Sequence, residues 1–195
     1  MGDYYLRVLR TYTKYFVDMA KEVPELQAMV NCHRGQGDVY HPEGDVATHT
    51  AMVIVESEQF KDQLSKEDYQ VLLMGCLFHD LGKPLQKIGN GDHAEIGYHL
   101  VKKILNRPMF SHLTRVQKGM IADIVKDHSL IFKIKRNMNN LTLKKLAKED
   151  YTDILLLVDH CDTTGRHVTE QAKQYGLNII AEARTIIIRM RDDTV

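Results

Sequence analysis

A chain of 195 residues that is 44% hydrophobic and 27% charged can bury a substantial core, and with no linker composition to divide it a single domain over 1–195 is expected. Lysine plus arginine (26) balance aspartate plus glutamate (26), so no global field draws in nucleic acid or anionic lipid, and any affinity for phosphate must come from a local site. Three cysteines, Cys32, Cys76 and Cys161, with no CxxC pair argue against a disulfide framework; with no signal-peptide core and no apolar run of the roughly 18 residues that a spanning helix needs, a soluble, cytoplasmic protein without membrane contact is expected.

The first periodicity, Tyr4, Tyr5, Val8, Leu9, Tyr12, Phe16 and Met19, repeats every three or four residues and predicts a helix packed along that face. Pro24 opens a short helix, Glu25 to Val30. Gly35, Gly37, Pro42 and Gly44 then make a loop carrying His33, Arg34 and His41; His41 is the better candidate for the rim of a site, although most loop histidines are plain surface residues. From Asp45, an N-cap by residue type, a helix runs to about Phe60 and sets His49 among Val46, Met52 and Val53. A lone histidine so placed is usually a hydrogen-bonded core residue. The neighbouring helix changes that reading, because a short connection at Lys61 to Ser65 makes it antiparallel to the first and able to bring a second polar group to His49.

The apolar part of that neighbour, Val71 to Phe78, is an almost unbroken run that delivers His79 and Asp80 at its end before Gly82 and Pro84 stop it. Burying an imidazole beside a carboxylate costs several kcal/mol unless the two are hydrogen-bonded or bound to a cation. One His-Asp dipeptide in a chain of this composition is about what chance supplies, so its apolar context carries the weight.

After a loop at Gly89, Asn90 and Gly91, a helix from about Asp92 to Leu105 places His93 in its first turn. Val116, Met120, Ile121, Ile124 and Val125 define a helix ending near Asp127-His128. No acidic residue occurs from Ser129 to Lys148, where Lys133, Lys135, Arg136, Lys144, Lys145 and Lys148 accumulate; this is a solvated face by default and a phosphate-attracting rim otherwise. Tyr151 to Cys161 is a second wholly apolar helix that hands over to carboxylates, Asp159 and Asp162, and Gly165 closes it. The two aspartates share a helix face, so either can serve as a late ligand. The last helix, about Val168 to Met190, is expected to break at Gly176. No strand alternation, repeat, P-loop, zinc-finger spacing or nucleophile elbow appears, and the chain reads as all-α.

The order His49, then His79-Asp80 in FHDLGKP, then an aspartate after an apolar helix resembles the HD superfamily of metal-dependent phosphohydrolases. HPEGDVATHTAMV (His41 to Val53), HAEIG at His93, KDH ending at His128 and LLLVDHCDTTGR (Leu155 to Arg166) are similar to the HD domain attached to bacterial CCA-adding tRNA nucleotidyltransferases, over roughly residues 24–165. The glycine-serine loop and paired aspartates of that enzyme's nucleotidyltransferase head are missing, so CCA addition is not expected. The resemblance implies an HD-type helical bundle with a buried metal site held by His49, His79, Asp80 and a late aspartate, with Asp162 preferred because the small Cys161 precedes it and Gly165-Arg166 come after it. It implies a divalent cofactor (Mn²⁺, Ni²⁺, Co²⁺, Fe²⁺ or Mg²⁺), Asp80 as proton acceptor, and His93 and His128 as the intervening histidines that bind substrate phosphate, assist proton transfer or hold a second metal.

Imidazoles and carboxylates suit such a cation, which activates water and polarises a phosphoryl oxygen without a protein nucleophile. Lys83 is placed to reach a phosphate, with Lys133 and Arg136 as further phosphate contacts. The expected activity is hydrolysis of nucleotide or RNA-end phosphates, foremost as a 2′,3′-cyclic phosphodiesterase/phosphatase. A 5′-nucleotidase or nucleoside triphosphohydrolase is the alternative, and a non-enzymatic module binding RNA or tRNA ends through Lys133 to Lys148 is the rival from another class. Oligomeric state is not legible.

Overall fold

The three segments that carry the longest apolar runs become three mutually packed helices: α3 (Val46–Ser57), α4 (Lys66–Phe78) and α9 (Thr152–Thr164). The computed structural model describes residues 14–33, 44–86, 92–134 and 141–193, and among these residues there is no strand. Two short leading helices, α1 over 14–22 and α2 (Pro24–Gln27), precede the central three. α5 (His93–Ile104) and α6 (Arg115–Asp127) form an antiparallel pair, in which α6 packs on α4 and α9. The basic segment forms α7 (Leu130–Ile134) and α8 (Leu141–Leu146), both lying against the long C-terminal α10 (Glu170–Asp192), which covers α9.

Of the long helices, α3, α4, α5, α6 and α10 begin where a side chain takes over an orphan backbone N–H, while α9 starts at Tyr151 without one. Asp45 accepts from Thr48 at 2.8 Å, Ser65 from Asp68 at 3.0 Å, and Thr114 with Gln117 forms a capping box at the start of α6. Such caps contribute about 1 kcal/mol each. The interior they enclose is dry and aliphatic: Val53, Ile54, Leu72, Leu77, Phe78, Ile124, Leu155 and Val158 are all fully buried, and Phe78 meets Phe110 edge to face at 6.2 Å. From Val71 onward α4 is buried on most sides, as its unbroken apolar run implies.

Beyond α4 the chain makes a tight turn and a 3₁₀ segment, Lys83–Leu85, that seats directly on the start of α5. Glycine permits this. A Cβ on Gly82 would overlap the His93 carbonyl oxygen and come within 2.7 Å of the Gly97 nitrogen, while a Cβ on Gly97 would stand 3.0 Å from Val125 Cγ1. The two glycines thus set the depth at which the turn after α4, α5 and α6 interlock.

Two expectations need correction. The helix led by Pro24 ends at Gln27, short of Val30, and the last helix runs unbroken through Gly176. Gly176 is there for close packing: a Cβ would lie 2.7 Å from Thr163 Cγ2, so the glycine lets α10 approach α9. The N-terminal positions Tyr4 to Tyr12, His41, the glycines at 89 and 91, Lys135 and Arg136 lie outside the described residues.

Candidate metal centre

Five helices deliver polar side chains to one point of this apolar interior. His49 comes from the first turn of α3, and His79 and Asp80 from the turn that ends α4. His93 is the first residue of α5, His128 caps the C-terminus of α6, and Asp162 lies in the last turn of α9. All except His93 are at most 3% exposed, and His93 is partly exposed.

The six side chains form two groups whose donor atoms lie within 4.8 Å of one another, His49, His79 and Asp162 in one, Asp80, His93 and His128 in the other. In the first, His49 Nε2 stands 2.9 Å from Asp162 Oδ1 and 3.4 Å from His79 Nε2. In the second, His93 Nε2 and His128 Nε2 are 3.1 Å apart. Asp80 joins the two. Its Oδ2 faces the first group, 3.2 Å from His79 Nε2 and 3.8 Å from His49 Nε2, and its Oδ1 faces the second, 3.6 Å from His93 and 3.7 Å from His128.

The donor chemistry fits a divalent cation. His79 Nδ1 donates to the Cys76 carbonyl at 2.8 Å, and His128 Nδ1 donates to the Val125 carbonyl at 2.7 Å. Each bond spends the ring's Nδ1–H on the backbone one turn back and turns the Nε2 lone pair into the cluster, the arrangement by which an imidazole is oriented for a metal. Lone pairs directed at a neighbouring ring nitrogen and at carboxylate oxygens are held together only by a proton or a cation, and nitrogen and oxygen donors of this kind suit Zn²⁺, Mn²⁺, Fe²⁺, Co²⁺ or Ni²⁺.

Electrostatics keep the ligands in the forms that bind. Burial pushes Asp80 and Asp162 up, but His79 and Lys83 around Asp80, and Arg166 and His49 around Asp162, hold both carboxyls well below the usual carboxylate range. Burial lowers His79 despite Asp80 beside it, and takes His93 down to about 4 against the same opposing charge, so both imidazoles are neutral at pH 7. His128 is the exception; burial lowers it, yet the Asp80 carboxylate outweighs that effect and raises it.

Lys83 is neither an exposed loop lysine nor a free phosphate clamp. It is 7% exposed, and its Nζ donates to Asp80 Oδ2 at 2.5 Å. Lys133 sits at the rim, where its Nζ pairs with Asp92, the N-cap residue of α5, at 2.7 Å. His33 is exposed at the end of the turn made by left-handed Asn31.

Sequence reasoning passed over Arg166 as a site residue. Its guanidinium grips Asp162 with two bonds, Nε to Oδ1 at 3.2 Å and Nη2 to Oδ2 at 2.6 Å, and so fixes the carboxylate whose Oδ1 also meets His49 Nε2. The available signal was an arginine four residues after Asp162, just past the C-terminal end of α9.

Asp159, the alternative late ligand, is used differently. Its Oδ1 accepts the Ser129 N–H at 2.9 Å, and its Oδ2 is buried with no hydrogen-bond partner among the described residues. Ser129 has φ 64°, a left-handed conformation that costs a non-glycine residue, and it directly succeeds His128; Asp159 therefore holds the turn that presents His128. Burial raises the Asp159 carboxyl to about 7 although the Ser129 N–H and His128 pull it down. A folded-state pKa above the unfolded value of 3.8 means that the folded chain binds the extra proton between those values, so this stabilisation is complete below about pH 4 and is lost as the pH rises through 7. In metal-free protein, Asp159→Asn keeps the acceptor for Ser129 and removes the titration. Its Tm is expected to fall less between pH 5 and pH 8 than that of the unaltered chain; parallel Tm-against-pH curves would contradict this.

The sequence profile of the HD domain family matches residues 46–166, which takes in all six donors. The chain is 27% identical over 114 residues to the multifunctional CCA protein of Psychromonas ingrahamii, an alignment covering 56% of this chain and 25% of that protein. It is 32% identical over 65 residues to the CRISPR system single-strand-specific deoxyribonuclease Cas10/Csm1 (subtype III-A) of Methanocaldococcus jannaschii, covering 31% of this chain and 8% of the other. In both cases the chain spans a quarter or less of the relative's length. No helix among the described residues is long and apolar enough to cross a membrane.

Proposed function

Because the chain belongs to the HD domain family of metal-dependent phosphohydrolases, we propose that it hydrolyses nucleotide or RNA-end phosphates, with 2′,3′-cyclic phosphates as the preferred substrates and a terminal phosphatase activity beside them. The observation that carries the reading is Asp80, one carboxylate with an oxygen toward each of two donor groups. A structural metal site is normally closed by four ligands; six donors, with a buried lysine on the shared one, exceed that requirement.

A divalent cation held by His49, His79, Asp80 and Asp162 would supply a nucleophile from water near neutral pH and polarise a phosphoryl oxygen. The residues of the chain do the rest. Asp80 accepts a proton at a carboxylate oxygen that Lys83 keeps oriented and anionic. Arg166 holds Asp162, and the Cys76 carbonyl holds the ring of His79. Neutral His93, the most exposed of the six, faces the entrance and contacts the phosphate, while His128, which the Asp80 carboxylate favours in its protonated form, gives its Nε2 proton to the leaving oxygen. The apolar walls of α3, α4 and α9 exclude bulk water, which strengthens each of these interactions.

Purified protein supplied in turn with Mn²⁺, Ni²⁺, Co²⁺ or Mg²⁺ is expected to open 2′,3′-cyclic AMP and a cyclic-phosphate-ended RNA faster than it attacks nucleoside mono- or triphosphates. Robust cleavage of the mono- or triphosphates with both cyclic substrates untouched would move the assignment to a 5′-nucleotidase or triphosphohydrolase.

A further inference from the structure

Resting on that reading, we propose that the seam between α5 and α6 is a track for the phosphodiester backbone of a single-stranded nucleic acid whose terminal phosphate lies at the candidate centre. α5 and α6 run antiparallel, and at one end of their seam the rings of His93 and His128 meet. Moving away from that end, the seam first presents Tyr98, with the Nζ atoms of Lys126 and Lys102 5.0 and 4.9 Å from its ring centroid. It then opens into a groove of about 370 Å³ lined by Tyr98, Lys102, Asn106, Arg115, Lys118 and Asp123.

Charge is unevenly matched along this path. Lys126 pairs with Glu95 at 3.6 Å, but among the described residues Lys102, Arg115 and Lys118 have no carboxylate within ion-pair distance. Asp123 on the same wall offsets part of this charge, and the three cations still leave the concavity net positive, a field that a backbone phosphate would complete. In a chain of zero net charge this concentration is local, so it favours a strand seated in the groove over diffuse capture of nucleic acid.

The floor of the groove supplies an independent observation. Gly119 lies in the middle of α6, where glycine costs roughly 1 kcal/mol relative to alanine, and a Cβ there would meet nothing within 4 Å. Packing does not require this glycine. It leaves the helix backbone open to whatever enters the groove, and an uncovered backbone flanked by cations suits a sugar-phosphate chain. Tyr98 offers an aromatic edge beside that chain, and Asp123 an acceptor for an exocyclic amine or a 2′-hydroxyl.

The span is right for a short strand. Lys102 is nine residues beyond His93, about 13 Å along the helix at 1.5 Å per residue. A stacked strand rising about 3.4 Å per nucleotide covers that distance in roughly four nucleotides. The substrate class this selects is the oligonucleotide end, in preference to the mononucleotide.

The test uses the full chain in EDTA and a fluorescein-labelled single-stranded RNA octamer carrying a 3′-phosphate, with binding followed by anisotropy across a salt series. The combined substitution Lys102→Glu, Arg115→Glu and Lys118→Glu is expected to weaken binding at least tenfold. It should also lower the magnitude of the log Kd against log salt slope by about 2, since each single-strand phosphate contact contributes about 0.7. Gly119→Leu fills the groove without altering charge; it should weaken binding similarly while holding or raising the Tm, which separates occlusion from misfolding. With metal restored, hydrolysis of 2′,3′-cyclic AMP by both variants should stay within twofold of the unaltered chain. An unchanged octamer Kd and salt slope in the triple variant overturn the track. Loss of mononucleotide hydrolysis in the unaltered chain counts against the proposed activity alone, because the binding measurement does not depend on turnover.

Discussion

Asp80→Ala is expected to lower kcat/KM on a cyclic phosphate substrate by about 10³-fold or more and to reduce the metal that copurifies with the chain. The size of the effect comes from the position of the two oxygens. Oδ2 lies 3.2 Å from His79 Nε2 and receives the Lys83 ammonium, and Oδ1 lies within 3.7 Å of both His93 and His128. Alanine removes the anion from both donor groups at once, and it leaves the 7%-exposed Lys83 without the carboxylate that neutralises it. Deleting one partner of a buried ion pair costs about 3–5 kcal/mol, so part of any loss comes from stability. Asp80→Asn separates the two, because it keeps the shape and one acceptor while discarding the charge. Elemental analysis and steady-state kinetics on both variants check the argument; full metal content together with normal turnover in Asp80→Ala would remove Asp80 from the centre.

Gly82→Ala is expected to destabilise the fold by about 3 kcal/mol or more, with the loss of His93 from the site as its local expression. A methyl group here meets backbone, the His93 carbonyl and the Gly97 nitrogen, and cannot be accommodated by rotating a side chain. Overpacking a core ordinarily costs about 1–3 kcal/mol, and a backbone clash lies at or beyond the upper end of that range. Either the turn after α4 lifts off, carrying Asp80 and Lys83, or the first turn of α5 moves, carrying His93. Urea denaturation should therefore show a lower midpoint at unchanged m-value. A midpoint equal to that of the unaltered chain would mean that the interlock has slack the geometry does not show.

Much of this site can be read in the sequence because His79, Asp80 and Asp162 sit where apolar helices end. The runs before His79-Asp80 and before Asp162 are conspicuous, and a polar pair appearing after them demands an explanation of its own. Spacing alone left Asp159 and Asp162 equal. What separates them is tertiary: left-handed Ser129, contributed by the turn after α6, takes the carboxylate of Asp159, and no property of α9 by itself announces that. Lys83 was legible as a cation near the site, whereas its burial against Asp80 depends on the 3₁₀ turn being pressed onto α5. Gly176 misled for a similar reason. Local propensity marks a glycine in a long helix as a break, and only the proximity of Thr163 identifies it as a contact surface.

The bond between His49 and Asp162 spans 113 residues of chain, and this separation orders events in the life of the molecule. Loop-closure entropy must be met before a contact of such range can form, and during synthesis α3 emerges long before α9. The His49 side of the candidate centre is therefore incomplete until α9 has been made and docked, and until then a cation would find no full donor set there. Uptake of an ion at this site would then report the arrival of α9 and come after the assembly of the bundle. An ion held there would then work as a latch: with free cation at a hundred times its dissociation constant it would add about 2.7 kcal/mol against unfolding, and this restraint would fall on α3 and α9.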